Sequence, residues 1–169
     1  GINYSTKDGP DKWGEPEIMD PHWGGGQREG LRTCIDLDGQ NRPHVSFAGN
    51  DPDWGSESIK LGIKTGDVWE FCVVDSGAAF STGNAIDVDN AGRDHLFYAY
   101  HKAEQMRYAF RHGDRWIRQI IDPDITSREI NIKADPSGNI HMLYNDWDWD
   151  DDEPIIQYVM RPPMPYIIA

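Results

Sequence analysis

Apolar and polar residues alternate with a period of two along most of this chain, and polar turns rich in Asp, Gly and Asn interrupt the alternation at short intervals. Residues 31–75 show the pattern most fully. It predicts four strands near 31–37, 43–48, 58–64 and 68–74, with the Asp38-Gly39 and Gly66-Asp67 turns folding them into antiparallel hairpins. β-branched and aromatic residues fill these stretches, and none has the period of an amphipathic helix. The expected class is all-β.

The alternation itself recurs. CIDLDGQNRPHVSF at 34–47, AIDVDNAGRDHLFY at 85–98 and IKADPSGNIHMLY at 132–144 each read as strand, polar turn, His, strand. The matched His44, His95 and His141 stand 51 and 46 residues apart, a spacing that suits one blade of a β-propeller at about 40–50 residues per repeat. A Gly-Asp turn, a Trp and a strand ending in Asp follow in KTGDVWEFCVVD at 64–75 and RHGDRWIRQIID at 111–122, with a looser copy in KDGPDKWGEPEIMD at 7–20. Trp13, Trp69 and Trp116 are therefore equivalents. The reading is a single, partial β-propeller domain of four-stranded antiparallel blades, about three and a half in number. An outer half-blade falls at 2–20, and blades fall at 31–75, 82–122 and 128–169. Propellers use at least about four blades, so the ring is expected to close with a second copy of the chain, giving about seven, or with the remainder of a longer propeller chain.

Composition narrows the partners. Sixteen basic against 29 acidic residues leave a formal net charge of −13, which repels a phosphate backbone and excludes a nucleic-acid stripe. Cations, neutral sugars or a basic protein surface suit that field. No run approaches the roughly 20 apolar residues of a membrane-spanning helix. The chain opens on Gly1 without a signal- or transit-peptide pattern, which leaves a processed, trimmed or partial chain open; an extracellular or cell-surface setting is the expectation. The two cysteines, Cys34 and Cys72, fall on the innermost and outermost strands of one blade, too far apart to form a disulfide.

The D-x-x-G/N-x-x-H repeats, the Tyr-rich QMRYAFR at 105–111 and the G-D-x-W turns resemble the sialidase-like, BNR-type propeller repeats. INYSTKDGPDKWGEPEI at 2–18 is similar to the Asp-box hairpin of that superfamily, with Pro10 where the family has Gly. The resemblance implies the fold; no sialidase catalytic residue is carried over.

Because scaffold residues recur while a site is unique, His44, His95 and His141 read as hydrogen-bonding groups that close the inner turns rather than as zinc ligands. The non-repeating residues lie in the loops expected on one face of the propeller, among them 20–30, 49–58, 101–105, 122–128 and 145–154. Trp23, Trp54, Trp147 and Trp149, with His101 and Arg128, form the expected ligand set, since exposed Trp stacks on sugar rings while neighbouring acids accept their hydroxyls. Packing of these Trp under the loops is the competing reading. The acidic run around Asp146, Asp148, Asp150 and Asp152 reads first as a solvated loop and second as a Ca²⁺ site; no cofactor is required. The function expected is recognition of a glycan or protein partner. The alternatives are a polysaccharide lyase or glycosidase, with His101, His22 and Arg28 as catalytic candidates and Tyr100 and Arg107 beside His101, or a structural module of a larger assembly.

Overall fold

The computed structural model describes residues 2–19, 33–51, 56–77, 83–125, 127, 129–148 and 153–163. The Asp-initiated turns fold alike. Asn41, Gly92 and Gly138 all sit at positive φ, and each donates its N–H to the carbonyl of the Asp three residues earlier, at 2.8–2.9 Å. Left-handed backbone of this kind favours Gly and Asn, which is why the turn recurs as D-x-x-G/N.

Strands β1 (Asn3–Tyr4), β2 (Lys7–Gly9), β3 (Lys12–Trp13) and β4 (Glu17–Ile18) form one hairpin, β1 pairing with β4 and β2 with β3. The first sheet runs β5 (Cys34–Leu37), β6 (Pro43–Asp51), β7 (Ser56–Thr65) and β8 (Val68–Ser76). The second runs β9 (Asn84–Val88), β10 (Asp94–Tyr100), β11 (Gln105–His112) and β12 (Arg115–Asp122). The third comprises β13 (Ile130–Ala134), β14 (Ile140–Asp148) and β15 (Glu153–Arg161). All pairings are antiparallel, β1 with β4 in the hairpin and otherwise between neighbours in sequence, so the fold is all-β, and a 3-10 turn at His101–Ala103 is the one helical segment among the described residues. Residues 164–169, where the fourth strand of the last unit is expected, lie outside the described residues.

The strands run further than the alternation suggested. β6 and β7 extend into the loop expected at 49–58, and β14 and β15 into that expected at 145–154, where Trp147 pairs with Pro154 and Asp148 with Glu153. Asp146, Trp147 and Asp148 are thus strand residues, not loop residues. Their acidic composition hid a ladder that needs only backbone groups to form.

The sheets stack face on face. Ala48, Ile59, Leu61 and Val74 of the first meet Ile86, Leu96, Tyr98 and Ala109 of the second. Phe97, Met106, Tyr108 and Phe110 on the other side of the second meet Ile132, Ile140, Met142 and Tyr144 of the third. The hairpin covers β6, β7 and β8 of the first sheet by seating Ile2 and Met19 on Val45 and Phe47, with Tyr4 edge-on to Trp69 and Glu17 paired to Lys64. Gly62 permits that approach, since a Cβ there would lie 2.8 Å from the Phe71 ring and 3.3 Å from Met19.

Polar pins set the stacking register. Asp36 on β5 accepts the N–H of Val88 on β9 at 2.7 Å, and its equivalent Asp87 on β9 accepts the N–H of Ala134 on β13 at 2.7 Å and pairs with Lys133. At the opposite end, the Asp that closes each fourth strand accepts a Tyr hydroxyl from the next sheet: Tyr98 to Asp75 at 2.8 Å, Tyr144 to Asp122 at 2.9 Å. Burial, then the adjacent carboxylate, pushes the pKa of both phenols up.

Each inner turn is closed by a carboxylate that joins an Arg or Asn to the repeated His. Asp89 accepts the Ala91 and Arg93 amides and the Arg93 guanidinium, and lies 3.1 Å from His95 Nε2. Burial alone would raise the carboxyls of Asp38 and Asp89, yet the hydrogen bonds from Arg42 and Arg93 outweigh it, and Asp38 is held at about 2. Burial lowers the His95 pKa against the pull of Asp89. The neutral ring then donates from Nε2–H to Asp89 and accepts the Tyr108 hydroxyl at Nδ1, 2.6 Å away.

Two tests follow from these contacts. Asp87→Ala removes a buried acceptor and orphans the Ala134 amide, and urea denaturation should show a loss of ~1–3 kcal/mol. For pH, a His whose folded pKa lies below its ordinary value of about 6.5 stabilises the fold above that pH, and the contribution is lost as pH falls below it. The depressed Asp38 and Asp89 add a second loss, from about pH 4 downward toward 2. Thermal melts should therefore decline in two stages on acidification, and His95→Gln should flatten the first stage while lowering stability at neutral pH.

Candidate functional site

Where two sheets meet at their inner-turn ends, the repeat leaves a cleft. The one between the first and second sheets has a volume of about 340 Å³ and is lined by Arg42, His44, Glu70, Arg93, Asp94 and Arg111, among others. Its back wall is fixed by ion pairs. Arg42 grips Asp38 at 2.7 Å and Arg93 grips Asp89 at 2.6 Å, so neither guanidinium is available without breaking a turn.

His44 marks this junction as different from the next. His95 and His141 bond the hydroxyls of Tyr108 and Tyr158 on the third strand of their own sheets, but the equivalent position in the first sheet is Leu61. Without that hydroxyl, His44 points Nδ1 across the gap to Asp94 Oδ1 at 2.5 Å, and both groups are buried. Asp94 has no counterpart: Pro43 and Ile140 occupy its place in the other sheets.

The cation at the end of the third strand also differs from sheet to sheet. Lys64 is paired with Glu17 and lies over the Tyr4 and Trp69 rings. Arg161 lies over Tyr108 and Phe110, 5.1 and 5.2 Å from their centroids. Arg111 lines the cleft with Ile63 instead, and makes no hydrogen bond or ion pair with a described residue. Opposite it, Glu70 pairs with Ile63 across β7 and β8, and its carboxylate also makes no hydrogen bond or ion pair with a described residue; Ile117 stands in its place at the next gap. A guanidinium and a carboxylate that no described residue engages thus share one polar cleft, able to donate paired N–H groups to, and accept hydroxyls from, a polyhydroxylated ligand.

The second gap carries a smaller cleft of about 270 Å³ around Asp89, Asp135, Ser137 and Pro163. There the Asn139 side chain and amide, with His141, hold the Asp135 carboxyl at about 2, so its oxygens are already engaged by the turn.

The opposite end holds the part of the expected loop face that is described. His101 is half-buried in the 3-10 turn. Beside it, Arg107 stacks on Tyr100 at 3.4 Å and bonds both Asp75 and Gln105, while Arg118 reaches Asp75 and the Val74 carbonyl. Arg107 is thereby tied to the scaffold rather than available to a ligand carboxylate. Asp146 lies half-buried on β14. His22, Trp23, Arg28, Trp54, Arg128, Trp149, Asp150 and Asp152 lie outside the described residues, as do the side chains of Trp147 and Asp148. Among the described residues, no group of three or more His, Cys, Asp or Glu is placed to hold a metal ion, and Cys34 and Cys72 are free thiols.

Sequence reasoning passed over Arg111 and Glu70, because both sit inside repeated segments. The signal was there in the repeat itself: the unit before Arg111 carries the aliphatic pair Leu61 and Ile63, where the unit before Arg161 carries the aromatic pair Tyr108 and Phe110.

No protein-family model matches the chain, and no curated protein matches its sequence. Among solved structures it is similar to a fucose lectin from Kordia zhangzhouensis, in complex with methyl-fucoside, at 12% identity and a TM-score of 0.54, over 79% of this chain and 99% of the lectin. It is also similar to a protein of unknown function from Dyadobacter fermentans at 14% identity and a TM-score of 0.63, over 93% of this chain. That match spans 46% of the Dyadobacter protein, so the chain covers about half of its length. At these identities the likeness is one of fold, and the shared fold is all-β.

Proposed function

We propose that this chain is a β-propeller-type carbohydrate-recognition module and that the cleft between its first and second sheets receives a sugar. The observation that carries the reading is that Arg111 and Glu70 line the same cleft, neither making a hydrogen bond or ion pair with a described residue, where the equivalent groups are ion-paired (Lys64), laid over aromatic rings (Arg161) or replaced (Ile117). A guanidinium fork and a carboxylate are the side chains best suited to adjacent hydroxyls on a pyranose ring, and Ile63 offers an apolar wall. The fold shared with a fucose-binding lectin supports the same class of ligand, and the net charge of −13 favours neutral over acidic glycans. A lyase centred on His101 has less support, because the guanidinium it would use on a uronate is bound to Asp75.

Glycan-array binding followed by calorimetry with the best monosaccharide, methyl-fucoside included, tests this. Arg111→Ala and Glu70→Gln should each weaken binding about 10- to 100-fold, as expected for lost charge-assisted hydrogen bonds, with unchanged circular dichroism. Binding that neither variant weakens would move the site to the loop end, where Trp23, Trp54, Trp147 and Trp149 would be the next residues to replace. No binding to any glycan would remove the reading.

A further inference from the structure

The two ends of the sheet stack are left open, and the repeat shows what each is built to meet. On the far face of the third sheet, Leu143, Ile156, Tyr158 and Met160 are 45–76% exposed. Their equivalents in the second sheet, read through the registers of β10 with β11 and β14 with β15, are Phe97, Met106, Tyr108 and Phe110, each no more than 6% exposed because the third sheet covers them. A groove of about 310 Å³ runs along this face past Asn131, Leu143, Asn145 and Ile156.

The other end is the converse. Ile35 and Leu37 on β5 are 53% and 49% exposed, whereas their equivalents Ile86 and Val88 on β9 are 5% and 9% exposed under the first sheet. On the hairpin Trp13 is 67% exposed, although its equivalents Trp69 and Trp116 are half-buried against the preceding element.

We propose that this chain associates head to tail with a second copy of itself, the open face of the third sheet of one copy covering β5 and the Trp13 face of the next. The occupant is argued from kind. Each open end is one half of an interface that the chain already makes twice internally, and the same chain bears both halves. Isolated apolar side chains are ordinary on a surface, but a set whose repeat equivalents are buried or half-buried marks an interface. Lys133 stands where Asp36 and Asp87 make the inter-sheet pins, and it pairs backward with Asp87, so the seam between copies is held by apolar contact without the carboxylate pin. Contacts of this heterologous kind form rings when the rotation closes. The inference is independent of the glycan reading, since neither Arg111 nor Glu70 takes part.

Light scattering across a concentration series tests it on the chain itself, of 19.3 kDa. The expected result is a mass of at least twice that value for the unsubstituted chain, falling to the single-chain value in Ile156→Asp and in Ile35→Asp. Both side chains are already exposed, so the strand signal in circular dichroism should persist. An equimolar mixture of the two variants should regain a one-to-one pair, because one seam then has unsubstituted residues on both sides. A single-chain mass at every concentration, or a multiple that neither variant reduces, overturns the proposal; the open faces would then belong to a different partner or to further sheets of a longer chain.

Discussion

An antiparallel sheet with apolar side chains on both faces must be covered on both. Everything else in this structure depends on that requirement. The second sheet meets it, sandwiched between the first and third, and holds the most deeply buried side chains of the molecule, including Phe97, Tyr98, Met106 and Tyr108. The first sheet meets it in part, because the N-terminal hairpin covers β6 to β8 and leaves β5 bare. Hydrophobic burial is not directional, so on its own it would let the sheets slide.

Direction comes from the polar pins. Asp36 and Asp87 hold the inner strands at fixed height by accepting a single amide each, and Asp75 and Asp122 do the same at the other end through Tyr98 and Tyr144. Two attachments at opposite ends of a sheet, on its first and second strands, define an orientation as well as a position. The Asp-His turns serve a separate purpose, rigidifying the edge from which the clefts open. Satisfying so many buried carboxylates is costly unless every one has partners, and here the backbone supplies most of them.

Function is read where the repeat breaks. A group that recurs in every sheet is explained by the scaffold, while among the described residues Leu61, Asp94 and Glu70 are unmatched at the equivalent positions, and Arg111 differs from Lys64 and Arg161 in what lies beside it. The exchange of Tyr for Leu61 frees His44 to reach Asp94, and it puts Leu61 and Ile63 where the unit before Arg161 carries Tyr108 and Phe110. One local change in the repeat thus accounts for the unusual junction and removes the aromatic ring that Tyr108 provides for Arg161.

The all-β class, the antiparallel hairpins, the equivalence of Trp13, Trp69 and Trp116 and the turn-closing role of His95 and His141 were legible in the sequence, because each depends on local alternation or on turn chemistry repeated along the chain; His44, which reaches across to Asp94 instead, was not. Strand ends were less legible: the acidic residues of β14 look like loop, yet ladder formation uses backbone groups that composition does not report. The cleft was not legible at all. Arg111 and Glu70 are 41 residues apart and sit on different sheets, and the same is true of His44 and Asp94. Which cation is bound to its own scaffold and which is free follows from what the neighbouring sheet places beside it, and only the packing of one sheet on the next decides that.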